Sequence, residues 1–161
     1  MQNEECRMQH LIIRPMRLED ADAKGYVHWR SCLETYRDLL EPAYFEKSPL
    51  SVYQDIARRY PENTFVAEVG GRIAGFGTWK DTGEVYGLYV LKAYQGFGIG
   101  RLLLEAMLER LSGCPEIWLM VLDGNDQAIG FYEHMGFRLD GHREKNKYSA
   151  VHPSLRMVRT V

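Results

Sequence analysis

The sequence has little cysteine, no long apolar run and no excess of either charge. Its 161 residues hold three cysteines, Cys6, Cys32 and Cys114, and no CxxC pair. That usage reads as neither a disulfide framework nor a zinc site. The best apolar runs, at 102–104 and 117–122, fall far short of the roughly 20 residues a membrane helix needs. MQNEECRMQH at the N-terminus has no hydrophobic core of the kind a signal peptide carries, so a cytoplasmic protein without membrane attachment is expected. The formal net charge of −2 argues against a dedicated nucleic-acid binder. The five histidines show no HxxxH and no Cys/His pairing at ligand spacing, so no metal is expected.

What is present fits one domain over residues 1–161, with 45% hydrophobic residues. A chain of this size buries about 68–70% of its unfolded surface and needs no covalent staple. Strands are expected at 11–16, 64–69, 72–80, 84–90, 115–122, 136–145 and 152–161. Helices are expected at 18–40, interrupted by Pro42, and at 49–60, 99–111 and 125–135. In the third of these, Leu102, Leu103, Ala106 and Met107 are expected to face inward, and in the last Asn125 or Asp126 is available as N-cap. Hairpin-length links through 84–90 predict antiparallel pairing, and the helical crossover to 117–122 predicts a parallel pair. The fold class is a single mixed, mainly antiparallel α/β sheet with flanking helices.

Nine of the fifteen glycines lie between Gly70 and Gly100, and Gly96, Gly98 and Gly100 alternate within five residues. The stretch Gln95, Gly96, Phe97, Gly98, Ile99, Gly100, Arg101 stands between a predicted strand and a helix N-terminus. Without Cβ atoms at alternate positions, several backbone N–H groups can approach one anion, and the helix dipole favours it. Phosphate is the expected occupant. No Gly-Lys pair exists to make a P-loop, and Arg101 stands where a dinucleotide fingerprint needs its third glycine.

The run Leu88, Tyr89, Val90, followed by Tyr94 and residues 95–103, resembles the signature of the GNAT superfamily of acetyl-CoA-dependent N-acetyltransferases. Residues 119–123 and the segment NDQAIGFYEHMGF from Asn125 are similar to that family's second half. The element order is similar to that fold across nearly the whole chain. The resemblance implies an acyl-CoA N-acyltransferase fold, in which the parallel strands splay and admit the pantetheine arm. It implies acetyl-CoA as co-substrate, with its pyrophosphate on the backbone of Gln95, Gly96, Phe97, Gly98, Ile99, Gly100 and Arg101. Leu88, Tyr89 and Val90 would pair with the arm, Asn125 would hydrogen-bond it, and Tyr132 would lie near the sulfur. A homodimer is compatible with the family.

The implied reaction is direct attack by a primary amine of a small molecule or peptide on the thioester carbonyl, in a ternary complex. A backbone N–H near Val90 would stabilise the oxyanion. Tyr132 would protonate the leaving thiolate. An alkyl amine of pKa ~10.4 is only about one part in a few thousand neutral at pH 7, so a base or water chain is required. Glu84, at the start of the strand that carries Val90, is the first candidate for that base. Trp29, Tyr36, Tyr44, Phe45 and Tyr53 crowd the region that helps form the acceptor site in this family. The competing reading is a non-catalytic module that binds acetyl-CoA or CoA on the same fold.

Overall fold

The structure is a computed structural model and describes residues 10–160. Readings that touch residues 1–9 and 161, including the N-terminal segment, Cys6 and the last residue of the final predicted strand, lie outside the described residues. Strand β1 (Leu11–Pro15) leads through a 3-10 turn (Leu18–Asp20) into α1 (Ala21–Tyr36), α2 (Pro42–Lys47) and α3 (Leu50–Arg59). A meander follows: β2 (Thr64–Val69), β3 (Arg72–Lys80) and β4 (Glu84–Val90). A second 3-10 turn (Lys92–Tyr94) and the glycine loop lead into α4 (Ile99–Arg110) and β5 (Glu116–Leu122). The chain closes with α5 (Asp126–His134), β6 (Arg138–Glu144) and β7 (Ser154–Thr160).

All seven strands form one sheet in the order β1-β2-β3-β4-β5-β7-β6. The parallel pair is β4 with β5, as the crossover predicts, and its register shows one partner pair, Glu84 with Trp118. Beyond it the two strands diverge. β7 inserts between β5 and β6, which leaves β6 as an edge strand with every residue exposed.

Alternate residues of β2 feed two cores. Phe65, Ala67 and Val69 join Leu103, Met107 and Leu111 of the α4 side, while Val66 joins Val27, Ala57 and Phe76 on the α1 side. Each fully buried Leu or Met side chain contributes about 1.5–3 kcal/mol to holding these layers. On the sheet's outer side, the Arg14 guanidinium reaches Asp20 at 2.7 Å and Glu68 at 2.8 Å, tying β1 to the following turn and to β2.

Two sequence expectations are corrected. Pro42 starts α2 rather than only ending a helix, because its fixed φ and missing N–H suit the first helical position. In α4 the inward stripe is Ile99, Leu103, Leu104 and Met107, and Leu102 is exposed. In β5, Ile117, Leu119 and Val121 are buried, while Trp118 and Met120 are only half-buried.

Candidate active site

The divergence of β4 from β5 opens a cavity of about 760 Å³. Backbone geometry determines what β4 offers to it. Leu91 N donates to Ala74 O at 2.9 Å, and Tyr89 stands opposite Phe76 with Val90 opposite Gly75. Antiparallel pairs alternate between exchanged and unexchanged hydrogen bonds, so Tyr89 bonds Phe76 across the ladder. Leu88 and Val90 therefore aim their N–H and C=O groups away from β3 and toward the cleft. A register shift between Thr78 and Trp79 lets β4 bulge at Tyr86, whose side chain is exposed and lines the cavity.

The glycine loop closes one end of the cavity. Gly96 and Gly98 have φ of 87° and 82°, the left-handed region that L side chains rarely adopt. Gly98 is the N-cap of α4, so the first-turn N–H groups of that helix face the cavity end without intrahelical partners. The Gln95 side chain braces the loop, donating through Nε2 to Val90 O at 3.0 Å, while Gln127 Nε2 donates to Gln95 Oε1 at 3.4 Å. Arg101 reaches Glu105 at 2.8 Å and also lines the cavity.

The far wall comes from α5. Asn125 caps it, its Oδ1 accepting from Ala128 N at 3.4 Å, which leaves the Nδ2 donors for a ligand. Tyr132 is buried, with its ring edge-on to Phe131 at 5.3 Å and to Phe137 at 5.7 Å. Burial, with the Tyr36 phenol adding to it, pushes the Tyr132 phenol well above its ordinary pKa. It therefore keeps its proton at neutral pH. Across the cavity, α1 contributes Ser31, Thr35 and Tyr36. Ser31 is only 2% exposed, and its Oγ has no hydrogen-bond partner among the described residues.

Of the residues expected from sequence, Leu88, Tyr89, Val90, Gln95, Gly96, Gly98, Ile99, Gly100, Arg101, Asn125 and Tyr132 all line this one cavity. Phe97 and Glu84 do not. Phe97 is 39% exposed at the loop's outer side. Glu84 lies at the closed end of the strand pair, where its carboxylate meets Lys80 Nζ at 3.7 Å. No carboxylate among the described residues lines the cavity, and no cluster of three or more His, Cys, Asp or Glu side chains among them could hold a metal. Ser31 and Thr35 were missed, whereas Tyr36 is one of the aromatics expected on the acceptor side. The available signal was a polar series on α1, with Lys24, His28, Cys32 and Tyr36 at four-residue spacing.

A family model described as Acetyltransferase (GNAT) family matches residues 29–137. The chain belongs to the GNAT acetyltransferase family. An acetyltransferase of Pectobacterium atrosepticum is 34% identical over 133 residues, covering 78% of this chain and 86% of that protein. The peptidyl-lysine N-acetyltransferase YjaB of Escherichia coli is 28% identical, covering 92% of this chain and 96% of its own. Among solved structures, the PaiA N-acetyltransferase of Thermoplasma acidophilum in complex with coenzyme A superposes with a TM-score of 0.79 at 19% identity, covering 94% of this chain and 99% of that one. This GNAT protein is therefore an acetyltransferase, and its family uses acetyl-CoA. The cavity fits that co-substrate: left-handed glycines and free helix-end donors stand at one end, and the buried Tyr132 phenol is part of the same lining. No described helix is long and apolar enough to cross a membrane.

Proposed function

We propose that the protein moves the acetyl group of acetyl-CoA to a primary amine of a small molecule or peptide by direct attack, with both substrates bound together. The observation that carries this reading is the continuity of the cavity. One lining joins the glycine loop, the outward-facing Val90 N–H, Tyr132, and the α1 wall of Ser31, Thr35 and Tyr36. The loop and first turn of α4 hold the pyrophosphate, aided by Arg101. Leu88 and Val90 offer strand-like hydrogen bonds to the pantetheine arm. The Val90 N–H stabilises the oxyanion that develops as the amine attacks, and Tyr132 donates its proton to the leaving thiolate. The α1 wall takes the acceptor. The peptidyl-lysine in YjaB's name supports a primary alkyl amine in that place.

Glu84 has no share in this scheme, because Lys80 holds it outside the cavity lining. With no carboxylate among the described lining residues, the ammonium proton leaves to water or to the His134 imidazole, which also lines the cavity. The test is initial-rate kinetics of thiol release with acetyl-CoA and the amine varied together. Intersecting double-reciprocal lines are expected, and parallel lines would reveal an acetyl-enzyme route instead. The kcat/KM for an alkyl amine should rise about tenfold per pH unit below the amine's pKa. A plateau beginning near neutrality would show a base on the protein.

A further inference from the structure

A second pocket, of about 190 Å³, opens beside the acceptor wall and shares Tyr36, Met120 and Val121 with the main cavity. Its remaining walls come from distant parts of the chain: Leu40 and Tyr44 after and within the helical region, and Asn146 and Tyr148 between β6 and β7. Tyr44 and Tyr148 pack at 4.6 Å between ring centroids. No charged side chain among the described residues lines the pocket. The acetyl-transfer scheme does not use it.

Its size and chemistry select an occupant. An apolar cavity of about 150 Å³ is enough to take up benzene, so this space suits one ring or one branched alkyl group and not an aminoglycoside. A polyamine would bring its further ammonium groups against phenols and a thioether, with no carboxylate among the described lining residues to pair them. The tyrosines do not form a cage for a cation either. Lys147 Nζ already stands 4.9 Å from the Tyr148 ring centroid, and Tyr44 covers Tyr148 as well. The polar atoms at the floor satisfy one another, with Asn146 Nδ2 donating to Ser154 Oγ at 3.1 Å and Asn146 Oδ1 accepting from Tyr148 N at 2.8 Å.

We propose that this pocket sets acceptor specificity, and that the acceptor is a primary amine carrying an uncharged aromatic or branched alkyl group a short reach from its nitrogen. This rests on the acetyl-transfer reading of the main cavity. The nitrogen sits in the main cavity near Tyr132, and the side group passes Tyr36 and Met120 into the smaller space. Tyr148 and Leu40 then determine specificity without touching the reacting atoms.

Thiol release from acetyl-CoA is compared for phenethylamine, spermidine and kanamycin, with wild type, Tyr148→Ala and Leu40→Trp. Phenethylamine should exceed the other two in kcat/KM by about tenfold or more, in line with the worth of aromatic contacts. Tyr148→Ala, which enlarges the pocket, and Leu40→Trp, which fills it, should raise the phenethylamine KM while the acetyl-CoA KM stays unchanged. Equal or greater use of spermidine or kanamycin, or an unmoved phenethylamine KM in both variants, overturns the assignment and leaves acetyl transfer standing. If none of the three amines is acetylated, the pocket is judged by calorimetric titration of phenethylamine into CoA-loaded protein. Saturable binding that Leu40→Trp abolishes upholds the assignment of the occupant, and its absence refutes it.

Discussion

The side chain of Gln95 is hydrogen-bonded to the carbonyl of Val90 at 3.0 Å. This bond couples the loop that would hold phosphate to the strand end whose N–H faces the cleft. Removing it in Gln95→Ala should weaken acetyl-CoA binding by about three- to tenfold, the range of one net hydrogen bond. Calorimetric titration reads the effect, and an unchanged Kd would mean the loop holds its shape unaided.

Gly98 and Gly100 should respond oppositely to alanine. At Gly98, φ is 82° and no heavy atom among the described residues lies within 4 Å of the added Cβ. The cost of Gly98→Ala is therefore backbone strain, about 1–2 kcal/mol of stability. At Gly100 the new Cβ would meet Phe131 Cζ at 3.7 Å and Val90 Cγ2 at 3.8 Å, ordinary contacts. Gly100→Ala should then match or exceed wild type in Tm by helix propensity, while its methyl group on the cavity wall weakens acetyl-CoA binding. Thermal denaturation with and without acetyl-CoA separates the two. A destabilised Gly100→Ala would contradict the packing.

Tyr132 and Glu84 should behave differently as well. Burial keeps the Tyr132 phenol protonated, so Tyr132→Phe should lower kcat by about 10²–10⁴-fold and leave the thermal shift with acetyl-CoA intact. Glu84, paired with Lys80 at 3.7 Å and outside the cavity lining, should tolerate Glu84→Gln with kcat within about twofold of wild type. A large kcat loss in Glu84→Gln would restore it as the base.

His28 makes the protein acid-sensitive. Its ring lies 4.7 Å from that of Tyr53, 5.3 Å from Phe76 and 5.0 Å from Tyr89, and its buried Nδ1 has no partner among the described residues. Burial, with the nearby Lys24 charge adding to it, lowers its pKa from 6.5 to about 3. Between those values the unfolded chain binds a proton that the folded one refuses, so stability falls as pH falls. At pH 5 the loss is about 2 kcal/mol. Urea denaturation at pH 7 and pH 5 should show that loss in wild type and its removal in His28→Phe. Equal losses in both would assign the acid sensitivity to other groups.

The legible part of the site was local. Glycines at alternate positions, the strand before them and the helix after them are neighbours in sequence, so one stretch disclosed one end of the cavity lining. The lining residues Asn125 and Tyr132 followed from a second local segment. The acceptor side was not legible because α1, the α2 region, β5 and the segment before β7 meet there only after folding. Tyr36 and Tyr148 share a pocket although 112 residues separate them. Glu84 lies outside the lining for a related reason. Which end of β4 the cavity meets depends on where β4 parts from β5, and that register joins strands far apart in the sequence. Leu102 misled through helix phase: a row of three leucines permits two choices of inward pair, and packing against β2 and β3 selects Leu103 and Leu104.

The one-pair register between Glu84 and Trp118 also gives the molecule a mechanical seam. Most sheets resist tearing because many bonds share the load; here the β1–β4 leaf and the β5-β7-β6 leaf are riveted at one end. Force applied across the two leaves would concentrate on that rivet and on the α4 connection. A molecule lodged in the gap and bonded to both leaves would act as a weld along a line that the polypeptide leaves unstitched.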